Sequence, residues 1–385
     1  MKKVFEYFIT PISLLGVGCL EELKNYLKPM SFRKALIVTD KVLVDTGLVD
    51  KLYTVLDREG ILYIVYKDVS PNPTVNQVDF GLKLMKDNGC DFLISFGGGS
   101  PHDCAKAIAL LATNGGDIRN YEGINKVKKS SAPLIAINTT AGTGSELTRF
   151  CIITDEERQI KMAINDWRVT PVIAVNDAEL MIGKPPGLTS TTGMDALTHA
   201  IEAYVSVNAS PITDCQARKA IDLVFNHLLE AYKDGNNIEA REGMVYAQFL
   251  AGIAFNNAGL GYVHAMAHQL GGFYDLPHGL CNAVLLPAVM RFNLPVVAKK
   301  YARVARAVGI DTGGLTDEQS AELLIEKIEQ LNKELSIPLK LSELRGFNAG
   351  DIPQLAENAL KDITRLTNPR QGNQEDVEEI YRSIV

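Results

Sequence analysis

Short apolar runs of β-rich residues alternate with helical stretches through the first half of the chain, and the alternation stops abruptly at Gly183–Gly187. Ala35–Thr39, Ile61–Val65, Phe92–Phe96 and Leu134–Asn138 are the strand-like runs, and the first three each lead into a helix-like stretch such as Val75–Asn88 or Pro101–Ala112. Continuous apolar strands spaced by helices predict a parallel sheet covered on both faces. A hairpin-like pair at Cys151–Thr154 and Ile160–Ile164 and a last strand at Val172–Val175 complete this half. Gly183, Lys184, Pro185, Pro186 and Gly187 form a stiff linker and a natural boundary. Beyond it, convincing strands disappear, and helical patterns cover roughly residues 188–206, 211–232, 238–256, 279–291, 294–307, 316–335, 351–362 and 374–384. The expectation is an α/β nucleotide-type domain over residues 1–184 and an all-helical domain over residues 185–385, with a ligand cleft between them.

Composition narrows the class. A chain of 385 residues with 46% hydrophobic and 22% charged residues is an ordinary globular protein of two to three domains. Its net charge of −7, without any dense Lys/Arg block, argues against nucleic acid as a partner. Contiguous apolar runs such as Ala283–Leu286 fall short of the ~20 residues of a membrane span. Lys2 and Lys3 precede a fairly apolar stretch, but Glu6 and Pro11 interrupt it, so the segment reads as an opening strand pair and not a signal peptide. The six cysteines show no C-x-x-C pair or framework spacing, which fits reduced thiols in a cytoplasm.

Two loops carry the chemistry of phosphate binding. Phe96 ends a strand and Gly97, Gly98, Gly99, Ser100, Pro101, His102 and Asp103 lead straight into a helix. The glycines permit close backbone approach and positive φ. Ser100 is the expected N-cap, Pro101 the first helical residue and Asp103 the partner in a capping box. The helix start then offers N–H groups to a pyrophosphate. Thr139–Glu146, with Thr140 and Thr143 among its hydroxyls, is a second glycine-rich loop at a strand's end. Asp40 closes the first strong strand, where an acid can take ribose hydroxyls and repel a 2′-phosphate.

Histidine spacing points to a metal. Asp195 and His199 stand at i and i+4, His264 and His268 form a second such pair, and His278 follows. One carboxylate with imidazoles is a common ligand set for Fe, Zn, Co or Ni and leaves room for a substrate oxygen. Thr192 with Asp195 also fits a helix cap, and spacing alone leaves open which of His264 and His268 is a ligand. His102 and His227 carry a structural reading.

These motifs resemble the iron-containing alcohol dehydrogenases along nearly the whole chain. The resemblance rests on Gly97–Lys106, Asn138–Glu146, Thr192–His199 and, most specifically, Phe255–Gly272 continued by Leu276–Gly279. Within that family the chain is similar to the 1,3-propanediol dehydrogenases, with NAD-dependent methanol dehydrogenases and lactaldehyde reductases close by. The two-domain plan is also similar to that of dehydroquinate synthases, which are metal- and NAD-dependent lyases and the alternative reading. The resemblance implies Asp195, His199, His264 and His278 as ligands of Fe(II), with Zn(II) or another divalent ion as substitutes, and His268 as a proton-relay residue beside the nicotinamide. It implies that Asp40, Asn72, Gly97, Gly98, Gly99, Ser100, Asp103, Thr139, Thr140, Thr143, Thr148 and Lys161 surround NAD. It also implies a homo-oligomer, either a dimer or a larger assembly built from dimers. Phe150 and Phe255 fall at the expected substrate pocket. Relatives commonly carry His or Asn where Phe150 stands, so a second substrate hydroxyl would lose a partner and a short primary alcohol is favoured.

Overall fold

The computed structural model describes residues 4–385; Lys2 and Lys3 lie outside the described residues. The chain divides into two compact units, Phe8–Ile182 and Gly183–Val385, and the segment ending at Tyr7 groups with the second.

The first unit is built on strands β1 (Ile12–Leu15), β2 (Lys34–Val38), β3 (Leu62–Tyr66), β4 (Phe92–Gly97), β5 (Gly123–Ile124), β6 (Leu134–Asn138), β7 (Phe150–Asp155), β8 (Ile160–Asn165) and β9 (Ile173–Asn176). Six of them form a sheet in the order β1-β9-β6-β4-β2-β3, parallel throughout. Every residue of β4, β6 and β9 is buried, as expected for predominantly apolar strands of a parallel sheet. Alternate side chains serve opposite faces: Leu36, Val38 and Leu93 join one core with Cys104 and Ile108, whereas Ala35, Ile37, Phe92 and Ile94 join another with Leu23 and Leu52. Helices α1 (Lys24–Leu27), α2 (Lys41–Asp45), α3 (Asp50–Glu59), α4 (Val75–Asp87) and α5 (Gly99–Asn114) connect the strands. The expected hairpin is β7–β8, antiparallel, and it extends to a second, three-stranded sheet through β5. The opening strand pair is a single strand: β1 pairs with β9, and the residues from Val4 to Thr10 form no regular element.

The second unit holds α6 (Pro186–Val205), α7 (Pro211–Lys233), α8 (Ile238–Ala258), α9 (Tyr262–Tyr274), α10 (His278–Ala307), α11 (Asp317–Glu334), α12 (Ile352–Ala359) and α13 (Gln374–Arg382). Two features depart from the sequence pattern. Residues 279–291 and 294–307 are one helix, α10, that continues through Pro287 and Pro295. Proline ordinarily breaks or kinks a helix; here α10 runs on, packed against α6, α9 and α11. Helix α9 falls outside the helical patterns because Gly261 starts it and Gly271 and Gly272 weaken its end. A Cβ on Gly261 would stand 2.9 Å from Glu202 Oε1, so the glycine is a condition of close approach to α6. Among the described residues α10 alone is long and apolar enough to cross a membrane by length and composition, and 67% of its apolar window is buried. Its apolar content is that of a core helix.

Candidate metal centre and cofactor cradle

Asp195 and His199 lie one turn apart on α6, both buried. Helix α6 begins at Pro186, so Thr192 sits in mid-helix with its hydroxyl donating back to Leu188 O at 2.7 Å. The capping reading of Asp195 therefore falls away. His264 comes from the first turn of α9 and His278 from the first residue of α10. Gly279 sets the latter: a Cβ there would stand 2.1 Å from Thr191 O and 3.3 Å from Asp195 Cβ. Only glycine lets α10 start against α6 at this level, which brings His278 to Asp195.

One donor atom from each of Asp195, His199, His264 and His278 lies within 4.8 Å of all the others. Asp195 Oδ1 is 3.6 Å from His199 Nε2, 3.7 Å from His264 Nε2 and 3.5 Å from His278 Nε2. Four ligands at about 2.1 Å on a tetrahedron are separated by about 3.4 Å, so donor set and spacing fit a divalent transition metal. Burial would raise the Asp195 carboxyl, but the imidazoles of His199, His278 and His264 outweigh it and hold it well below the usual range. Burial opposes a charge on His264, yet Glu202 and Asp195 lift it to about 9. The field that draws a proton there also draws a cation.

The surrounding shell contains residues that the sequence motifs did not single out. Glu202 Oε2 accepts from His264 Nδ1 at 2.6 Å. Asn282 Nδ2 lies 2.8 Å from Asp195 Oδ1, 3.2 Å from His264 Nε2 and 3.1 Å from His278 Nε2. Phe255 stacks on His199 with ring centroids 4.2 Å apart and gives the centre an apolar wall. His268 is outside the four-donor group. Its Nδ1 donates to Asp362 Oδ2 at 2.7 Å, its side chain is 34% exposed, and its ring is 5.4 Å from that of His278. Asp362 is fixed in turn by Thr364 N at 2.8 Å. A carboxylate one turn beyond a candidate ligand histidine, as Glu202 is to His199, was the available sequence signal; Asp362 had none.

In the α/β unit, Asp40 and the two glycine-rich loops follow β2, β4 and β6, which are neighbours in the sheet. Ligands of open α/β sheets bind at such strand ends. Asp40 caps α2 through Leu43 N at 3.0 Å. Helix α5 starts two residues earlier than the capping box required: Gly98 is the N-cap, no side chain caps it, and Ser100 and Pro101 lie within the first turn. Gly97, at φ +152°, makes the turn that places the helix start there, and a Cβ on Gly98 would meet Thr140 Oγ1 at 3.1 Å. Ser100 Oγ accepts from Asn72 N at 3.3 Å, and Lys161 Nζ donates to Asn72 Oδ1 at 2.8 Å. Asp103 does not face the helix start; it accepts from Ser145 Oγ at 2.8 Å and Ile152 N at 3.1 Å. Thr148 is buried, its hydroxyl accepting from Lys106 Nζ at 3.0 Å. Thr139 is buried beside the open edge formed by Thr140 and Thr143. Phe150 is partly buried, at the start of β7. His102 lies beneath the loop, bonded through Nδ1 to Ser95 Oγ at 2.7 Å, and His227 packs against Gly243; both are structural.

The family models for "Iron-containing alcohol dehydrogenase" and "Fe-containing alcohol dehydrogenase family, C-terminal" match residues 11–178 and 189–385. The chain belongs to the iron-containing alcohol dehydrogenase family. It is 50% identical over 384 residues to alcohol dehydrogenase 4 of Saccharomyces cerevisiae strain YJM789, covering 99% of both chains. It is 46% identical to the 1,3-propanediol dehydrogenase of Citrobacter freundii, covering 99% of this chain and 98% of that one. The crystal structure of a 1,3-propanediol oxidoreductase superposes with a TM-score of 0.98 at 45% identity, covering 100% of both chains. This iron-containing alcohol dehydrogenase is an NAD-dependent alcohol oxidoreductase with a dehydroquinate synthase-like fold. Family membership decides against the lyase reading.

Proposed function

We propose that the enzyme interconverts short primary alcohols and their aldehydes, with Asp195, His199, His264 and His278 holding divalent iron. The observation that carries this reading is the convergence of those four side chains from three helices beside an apolar wall. When bound, the ion supplies Lewis acidity toward the alcohol hydroxyl and NAD supplies the hydride acceptor. The protein's residues do the rest. Glu202 holds a proton of His264 on Nδ1, which makes Nε2, beside Asp195, the nitrogen that would take the ion. Phe255 covers one side of His199 and excludes water there. His268, half-exposed and held by Asp362, is positioned to pass the alcohol proton to solvent. The uncapped start of α5 takes the pyrophosphate, Thr139, Thr140 and Thr143 border it, and Asp40 takes the ribose and favours NAD over NADP.

Phe150 offers no hydrogen-bonding side chain to a second substrate hydroxyl. This favours monoalcohols over diols, and relatives named simply alcohol dehydrogenase are matched at 50% identity. The same reading places the enzyme in a cytoplasm, consistent with six cysteines that form no disulfide among the described residues. It also makes the enzyme a homo-oligomer built from dimers, which light scattering on the purified protein measures.

The test is an anaerobic assay following NADH absorbance with C1–C4 alcohols, diols and aldehydes, on metal-stripped protein and after Fe(II) or Zn(II) is restored. Turnover restored by iron, higher for monoalcohols than for 1,3-diols, is the expected result. A preference for the diol refutes the role given to Phe150, and absence of turnover with every metal refutes the dehydrogenase assignment.

A further inference from the structure

Lys106 is completely buried in the α/β unit. An ammonium in such a place is costly unless its donors are satisfied. Its three hydrogens meet three oxygens of one short stretch: Ser145 Oγ at 3.1 Å, Thr148 Oγ1 at 3.0 Å and Phe150 O at 2.7 Å. Asp103 stands one turn earlier on the same face of α5 and grips the same stretch through Ser145 Oγ and Ile152 N. The first turn of α5 is the phosphate cradle, and a Cβ on Gly98 or Gly99 would touch Thr140 at 3.1 Å or Thr143 at 3.3 Å. The two glycine-rich loops therefore abut, and the link that fixes their spacing runs through the body of α5.

We propose that Lys106 is a positioning residue for the dinucleotide. Its ammonium clamps the segment from Ser145 to Phe150 onto α5, holding Thr140 and Thr143 at the distance from Gly98 and Gly99 at which one pyrophosphate can engage both loops. The clamp also fixes the carbonyl of Phe150, so the cofactor cradle and the residue assigned to the substrate wall share one anchor. This inference rests on the reading that both loops hold NAD.

The experiment measures NADH affinity by fluorescence titration of the metal-loaded full chain, for the parent, Lys106→Met, Lys106→Gln and Gly98→Val, with metal content and melting temperature determined for each. Lys106→Met is expected to raise the NADH Kd at least tenfold with metal content unchanged. Lys106→Gln, which retains one shorter donor, falls between it and the parent, and if the Met variant does not fold it carries the test, with a Kd more than twofold above the parent's as the expected result. An NADH Kd within twofold of the parent in the Lys106 variants, while Gly98→Val abolishes binding, overturns the proposal and leaves Lys106 a structural pin. Undiminished binding in Gly98→Val overturns the cofactor-site reading itself.

Discussion

Glu202 uses its two carboxylate oxygens on consecutive residues of α9: Oε2 accepts from His264 Nδ1 at 2.6 Å and Oε1 from Val263 N at 2.7 Å. An ionised carboxylate can only accept, so His264 holds a proton on Nδ1, and Nε2 is the nitrogen from which a bound cation would displace the other. The same side chain anchors the start of the helix that delivers the ligand and selects the tautomer that can ligate.

Glu202→Gln preserves shape but removes the anion that favours this arrangement. Partners of ligand histidines typically contribute 10–100-fold to metal affinity. The variant is expected to lose about that much, read as metal per chain after dialysis against a graded chelator series. Metal retention equal to the parent's would show that Glu202 only anchors the α9 backbone.

Asp362→Asn leaves His268 in place and outside the four-donor group, but weakens the hydrogen bond that orients its imidazole. Metal content should stay at the parent value while kcat falls by about 100-fold, the lower end of the range for general acid–base groups. Loss of the metal along with the rate would instead assign Asp362 to the integrity of the centre.

His102 makes stability pH-dependent. Burial first, and then the nearby Lys106 ammonium, pushes its imidazole down to about 3, against roughly 6.5 in an unfolded chain. The unfolded chain takes up the proton first, so stability is intact above about pH 6.5 and is lost progressively as pH falls toward the folded value. Between pH 7 and pH 5 the loss from this group is roughly 2 kcal/mol. Urea unfolding should show that His102→Gln loses less stability than the parent over this interval by about that amount; equal losses would mean the ring protonates in place.

The apolar strands and the linker were legible because each obeys one strong local rule: period and composition for the sheet, glycine and proline for Gly183–Gly187. The residues proposed as ligands were legible as helical spacing, since i and i+4 share a helix face whatever the rest of the fold does. Spacing could not choose between His264 and His268, because both occupy that face of α9. The choice depends on Glu202 and Asp362, which approach from distant parts of the sequence. The cap of α5 was misplaced for a similar reason. Ser100 and Asp103 satisfy a local rule, but Asn72 and Ser145 engage their side chains instead. Helix α9 was hidden by its glycines, of which Gly261 is required by the close approach of Glu202 from α6, a tertiary demand that overrides propensity.

The four donors come from α6, α9 and α10. An ion shared by three helices is a cross-link as well as a chemical group. Its binding ties the stretches of chain between Asp195 and His278 into closed loops, and so withdraws freedom from the unfolded chain much as a disulfide does. Iron supply then governs the lifetime of the helical unit together with its activity: a cell short of the metal makes a chain that is both idle and easier to unfold and degrade.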